Sequence, residues 1–247
     1  MSELSTPSAI DPLAVRRGGS LSIARMDETR QLTPLQLEER SIIHRKGEAR
    51  PEVDAFRELR TRLLAMFNGN NFVALVAPVS RGSGGSFIAR NLAAAMAFDE
   101  AKSALLIDCD LRHPSQHSTM RVEADNGGLI DVLEDPDQPI SDVLYQTGVP
   151  RLRLLPAGSS REMVSEYFAS FRMGLLLDSL RSRYPDRYIF LDSPPATGGP
   201  DAKILAGLAD VVILVAGYGH DSAASIAQAG ASFDPNKFAG VVFNEGA

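Results

Sequence analysis

FVALVAPVSRGSGGSFIARNLAAAMA, residues 72–97, is the stretch from which the fold can be read. Phe72 to Ala77 is a continuous apolar run, the pattern of a strand covered on both faces of a parallel sheet. Beyond it Ile88, Leu92, Ala95 and Met96 recur at helical spacing, with Ser86 placed to cap the helix start. Between the two lies Arg81-Gly82-Ser83-Gly84-Gly85-Ser86. Glycines let the backbone turn sharply and aim its N–H groups at an anion, and a following helix adds its dipole.

A phosphate loop of the form G-x-x-x-x-G-K-[ST] uses its lysine to reach the β- and γ-phosphates and the next hydroxyl to bind Mg²⁺. In this chain Gly85 stands at the lysine position, Ser86 keeps the hydroxyl, and Phe87 follows in place of a small residue. By itself such a loop is equally well a tight strand-to-helix connection with no ligand.

Two further strand ends sharpen the reading. Ser103-Ala-Leu-Leu-Ile-Asp-Cys-Asp-Leu-Arg-His-Pro ends an apolar strand in Asp108, Asp110 and Arg112, and Tyr188-Ile-Phe-Leu-Asp-Ser-Pro-Pro ends another in Asp192. Ligands of doubly wound sheets bind at the carboxyl ends of strands, where carboxylates hold Mg²⁺ or orient a hydroxyl. Strands are also expected at Leu152–Leu155, from Asp210 and from Phe238. Helices are expected at Thr33–Arg40, Glu52–Phe67, Gly127–Leu133, Tyr167–Arg183, Ala202–Leu208 and Ser222–Ala231. Strands alternating with helices predict an α/β fold, a doubly wound, mainly parallel sheet with helices on both faces. The expected organisation is a flexible tail over 1–33, a helical extension over 34–70 and the α/β domain over 71–247.

The chain has 247 residues, 44% hydrophobic, with a formal charge of -6, so no global basic field asks for nucleic acid. Cys109 is the sole cysteine, which excludes an internal disulfide. No apolar run approaches the roughly 20 residues of a membrane span, and the N-terminus has no signal-type apolar core, so a soluble cytoplasmic chain is expected.

The succession GSGGS, LLIDCDLRHP, FLDSPP, DAKILAGLADVVILVA and GVVFN resembles the bacterial tyrosine kinases of exopolysaccharide and capsule synthesis, in the MinD/ParA-like branch of P-loop proteins. The resemblance covers roughly Asp54 to Asn244. It implies that Gly82, Ser83, Gly84, Gly85 and Ser86 form the Walker A loop, with Arg81 and Phe87 beside them in the nucleotide site. Asp108 and Asp110 would be the Walker A′ motif, Arg112 a nucleotide-binding residue, Asp192 the Walker B acid, and Asn244 an adenine contact. Ser86, Asp108 and Asp192 would hold Mg²⁺ beside ATP, with Asp108, Asp110 and Asp192 as the catalytic acids. Asp54-x-x-Arg57-x-x-Arg60 is similar to the family's E-x-x-R-x-x-R motif, which implies packing of subunits into a homo-oligomer. The implied partner is a membrane-embedded polysaccharide co-polymerase, with the chain peripheral to the inner membrane.

Two features depart from the family. The Walker lysine is missing, and Tyr145, Tyr167, Tyr184, Tyr188 and Tyr218 are scattered, with no cluster after the last strand. The resemblance is strongest to a variant group whose R-G-x-G loops also lack the lysine. The expectation is therefore a pseudo-kinase with weak or absent ATP binding. The alternatives are an active autokinase in which Arg81 or Arg90 replaces the lysine, and a MinD/ParA-like positioning ATPase, whose loops also depend on lysines absent here. Under the first reading Gly85→Lys is expected to raise nucleotide affinity unless Phe87 blocks the pocket.

Overall fold

The computed structural model describes residues 31–44, 50–159, 161 and 164–246. Its strands are β1 (Val73–Pro78), β2 (Ser103–Asp108), β3 (Tyr145–Gln146), β4 (Leu152–Leu155), β5 (Arg187–Asp192), β6 (Val211–Gly217) and β7 (Phe238–Asn244). They form one sheet in the order β3-β4-β2-β5-β1-β6-β7. Every pairing is parallel except β3 with β4. β1, β2, β4, β5 and β6 are buried along their whole length, as continuous apolar runs require.

The helices are α1 (Pro34–Glu38), α2 (Pro51–Met66), α3 (Gly85–Met96), α4 (Gln116–Thr119), α5 (Leu129–Glu134), α6 (Val164–Ala169), α7 (Phe171–Arg183), α8 (Asp201–Leu208) and α9 (Ala223–Gly230). The pleat of β1 divides the core. Val73, Leu75 and Ala77 pack with Leu129, Met173, Leu180 and Leu205 on one face. Ala74 and Val76 pack with Leu37, Phe56, Leu63, Leu92 and Met96 on the other.

Most expected elements form, and their boundaries follow local chemistry. Thr33 caps α1 in a capping box: its hydroxyl accepts from Gln36 N at 3.3 Å, and Gln36 Oε1 accepts from Thr33 N at 3.0 Å. The single helix expected over Tyr167–Arg183 is two, because Ser170 leaves the helical region and caps α7 by accepting from Met173 N at 3.2 Å. The expected Ser86 cap is also wrong: α3 starts at Gly85, and its cap is left-handed Gly84, two residues before Ser86. The short α4, a 3₁₀ turn at Ile140–Val143 and the two-residue β3 carried no sequence signal. The tail expected over 1–33 lies outside the described residues up to position 30. Leu32, inside it, donates its N–H to Gly148 O at 3.0 Å and packs against the core.

Candidate functional site

The loop after β1 is a glycine cradle. Gly82 and Gly84 have φ of +91° and +87°, where a side chain would be strained. Ser80 N donates to Ser83 Oγ at 3.1 Å, and the Ser83 hydroxyl lies 2.7 Å from Ser80 O, closing the turn. The first amides of α3 have no partner within the helix and are the anion-binding groups of such a loop. The loop rests on the ends of β6 and β7. Asn244 Nδ2 donates to Ser83 O at 3.3 Å, and His220 Nε2 lies 2.9 Å from Arg81 O.

Gly85 is tightly enclosed. A Cβ built on it would meet the Pro78 ring at 2.7, 2.9 and 3.0 Å, so no side chain fits there without a shift. A proline ring cannot swing aside as a flexible chain end can. The expected gain from Gly85→Lys therefore does not follow from this geometry. Phe87 is not the obstacle, because it turns away to meet Phe56 of α2 edge-to-face at 5.9 Å.

Beside the cradle stands an acid wall. Asp108 and Asp192 are register partners at the ends of β2 and β5, and both are fully buried. Asp108 Oδ2 accepts from Ser115 N and Gln116 N at 3.0 Å, and its Oδ1 accepts from Asp110 N at 3.2 Å. Asp192 Oδ2 accepts from Gln116 Nε2 at 2.6 Å, and the Ser86 hydroxyl is near enough to favour the Asp192 carboxylate. Gln116 also donates to Ser86 O at 2.9 Å and accepts from Arg90 Nη1 at 3.1 Å. Asp192 Oδ1 is buried with no hydrogen-bond partner. Burial first, then the charge of Asp192, pushes the Asp108 carboxyl up to about 8. Burial also pushes Asp192 up to about 6, against the hydrogen bonds from Gln116 and Ser86. Burial lowers the Arg90 guanidinium, and Asp192 opposes that shift.

The structure brings together Ser83, Ser86, Asp108, Asp192 and Asn244 around the glycines. Arg90 is enclosed behind Gln116, whereas Arg81 is exposed and donates from Nη1 toward His113 Nε2 at 3.0 Å. Asp110 sits at the loop's start and accepts from His113 N at 3.2 Å. Arg112 is drawn off to Asp201 at the start of α8, which also accepts from the Ser165 hydroxyl. On α2, Asp54 and Arg57 pair in the open at 2.9 Å, while Arg60 turns inward toward Asp99, 3.8 Å away.

Sequence reasoning missed Gln116, Pro78 and Asp221. Only the short spacing of Gln116 from Asp108 hinted at its place.

Among the described residues no three His, Cys, Asp or Glu side chains converge as a metal cage. The unpartnered Asp192 Oδ1 beside the Ser86 hydroxyl nonetheless fits Mg²⁺, which is bound through one or two carboxylates plus substrate phosphates. No helix among the described residues is long and apolar enough to cross a membrane.

Comparison with known proteins places this geometry. No family model matches the chain. Over 197 residues it is 35% identical to the putative tyrosine-protein kinase EpsB of Ralstonia solanacearum, covering 79% of this chain and 25% of that protein. The chain thus spans a quarter of that curated relative's length. The solved BceF tyrosine kinase domain superposes with a TM-score of 0.69 at 26% identity, over 95% of this chain and 97% of that one. MinD of Pyrococcus horikoshii, solved with Mg-ADP, shares the fold with a TM-score of 0.54 at 21% identity, over 69% and 68% of the two chains.

Proposed function

Because the chain is a homologue of the bacterial tyrosine kinases, we propose that it is a kinase-like nucleotide-binding subunit of an exopolysaccharide or capsule system that has given up phosphoryl transfer. The observation that carries this reading is the Pro78 ring filling the space of a side chain at Gly85. The amides of Gly82 to Ser86 cradle the phosphates of ATP or ADP, and Asn244 meets the nucleotide from the end of β7. Ser86, Asp108 and Asp192 would hold an accompanying Mg²⁺, which when bound neutralises phosphate charge and completes the ion balance of the buried acids. No lysine follows the charge that develops on the leaving phosphate. That absence removes several kcal/mol of transition-state stabilisation, or orders of magnitude in rate.

The chain would then act by binding. α2, with Asp54 and Arg57 exposed, presents the face for assembly or for a membrane polysaccharide co-polymerase, and nucleotide occupancy reaches it through the Phe56–Phe87 contact. Calorimetry with MgATP is expected to show weak binding, and phosphotyrosine detection to show none. Robust autophosphorylation abolished by Asp108→Ala would overturn the reading. It would favour an active kinase in which the exposed Arg81, not the enclosed Arg90, supplies the cation.

A further inference from the structure

The loop between β6 and α9 contains an acid that neither the motifs nor the proposed chemistry uses. Asp221 follows Tyr218-Gly219-His220 and precedes Ser222. Both Asp221 and Ser222 are residue types that cap helices. Ser222 does so here, accepting from Ser225 N at 3.1 Å. Asp221 therefore has no duty to α9, and its carboxylate is turned the other way. Oδ2 accepts from the Ser83 hydroxyl at 2.6 Å and from Gly217 N at 2.8 Å, while Oδ1 accepts from the Ser80 hydroxyl.

Those partners span the cradle's entry turn. Ser80 and Ser83 bracket Arg81 and left-handed Gly82, and Gly217 is the last residue of β6. One carboxylate thus ties both ends of the turn to the rigid sheet. His220, beside it, holds Arg81 O, and its ring lies 3.5 Å from where a Gly82 side chain would begin. Burial raises the Asp221 carboxyl, but the donations from Ser80, Ser83 and Gly217 outweigh that and leave it below its ordinary value, so it stays ionised.

A phosphate loop with a lysine has a charge to draw the anion in. A loop without one depends on amides already aimed, because ordering them at the moment of binding costs affinity. We propose that Asp221 is the positioning residue of this cradle: it sets the backbone of residues 80–86 in the shape that receives the phosphates. The proposal rests on the nucleotide reading only for the identity of the ligand.

The test uses the full chain and two readouts, amide hydrogen exchange without ligand and calorimetry with MgATP and with inorganic pyrophosphate. In Asp221→Ala, exchange over residues 80–86 should rise by at least about tenfold while the interiors of β1 and β6 keep their protection, and affinity for both probes should fall at least about tenfold. Asp221→Asn, which keeps acceptor capacity, should recover part of both. A double Ser80→Ala, Ser83→Ala variant reaches the same ties from the other side should Asp221→Ala fail to fold. Unchanged exchange overturns the assignment, and so does faster exchange with unchanged affinity. A wild type that binds pyrophosphate in an Asp221-dependent way but not ATP sinks the nucleotide reading and leaves this assignment standing. A wild type that binds neither probe overturns both.

Discussion

At the ends of β2 and β5 two buried carboxylates have partners on every oxygen but Asp192 Oδ1, while at the end of β1 the neighbouring loop has no room for a side chain at Gly85. The two regions meet at Ser86, and the way each is built accounts for the contrast. In the wall the Gln116 side chain links Arg90 to Asp192 in the interior, and the backbone amides of Ser115, Gln116 and Asp110 hold Asp108. Deleting one member strands a buried charge, which costs more than the pair ever contributed. The cradle is made largely of backbone, held by Asp221, Asn244 and His220, with the Pro78 ring against Gly85. Retention of Asp108 and Asp192 is therefore weak evidence for phosphoryl transfer.

The sharpest way to break that comparison is to remove the wall's hub. Gln116→Ala deletes the acceptor for Arg90 and the donor to Asp192 and Ser86 O together. Urea unfolding should show a loss of about 3–5 kcal/mol. A loss under about 1 kcal/mol would mean that water replaces the amide freely and that the wall is no more interdependent than the cradle.

The next effect tests the closed slot. Gly85→Lys alone should destabilise by about 1–3 kcal/mol through overpacking on Pro78, with no gain in ATP affinity. Pro78→Ala combined with Gly85→Lys should recover most of the stability and tighten MgATP binding. A single variant that folds as well as wild type and binds ATP better would show that the ring yields, and the cradle would count as dormant rather than closed.

How much of this was legible in the sequence follows the same division. Strand order of types and the placing of Asp108 and Asp192 could be read because parallel strands are continuous apolar runs, and strand ends converge wherever the sheet is doubly wound. Asn244 could be placed for the same reason. Gln116, Pro78 and Asp221 could not, since their roles depend on which loops fold back over the strand ends, and nothing in local spacing records that. Arg112 shows the limit from the other side. It follows the acids in the motif, yet the nearly buried Asp201 draws it away.

The wall also carries a pH signature opposite in sign to that of Asp221 in the cradle. Asp108 and Asp192, at about 8 and about 6 against an ordinary 3.8, hold protons in the folded state that the unfolded chain has released. Stability without Mg²⁺ should therefore fall as pH rises from 4 to 8. Asp192→Asn should flatten that slope and raise the melting temperature at pH 8, as should Mg²⁺ added to the wild type. A slope equally steep in Asp192→Asn would place its source elsewhere.

The smallest expected effect on stability separates two arginines of α2. Arg57 pairs with Asp54 in the open, and an exposed pair of this kind contributes under about 1 kcal/mol. Arg60 is less exposed, lies toward Asp99 just past the end of α3, and has a buried Nε without a hydrogen-bond partner. If α2 is an assembly face, Arg57→Ala should lower the mass seen by light scattering or release a co-polymerase partner while leaving the urea midpoint in place. Arg60→Ala should shift the midpoint by a few tenths of a kcal/mol up to about 1 kcal/mol, because it unties α2 from the helix that carries the cradle. Its effect on assembly would then be indirect, and Arg60→Lys, which keeps the charge near Asp99, should restore it. Unchanged mass and partner binding in Arg57→Ala would return Asp54 and Arg57 to a solvated face and leave the Phe56–Phe87 contact as packing alone.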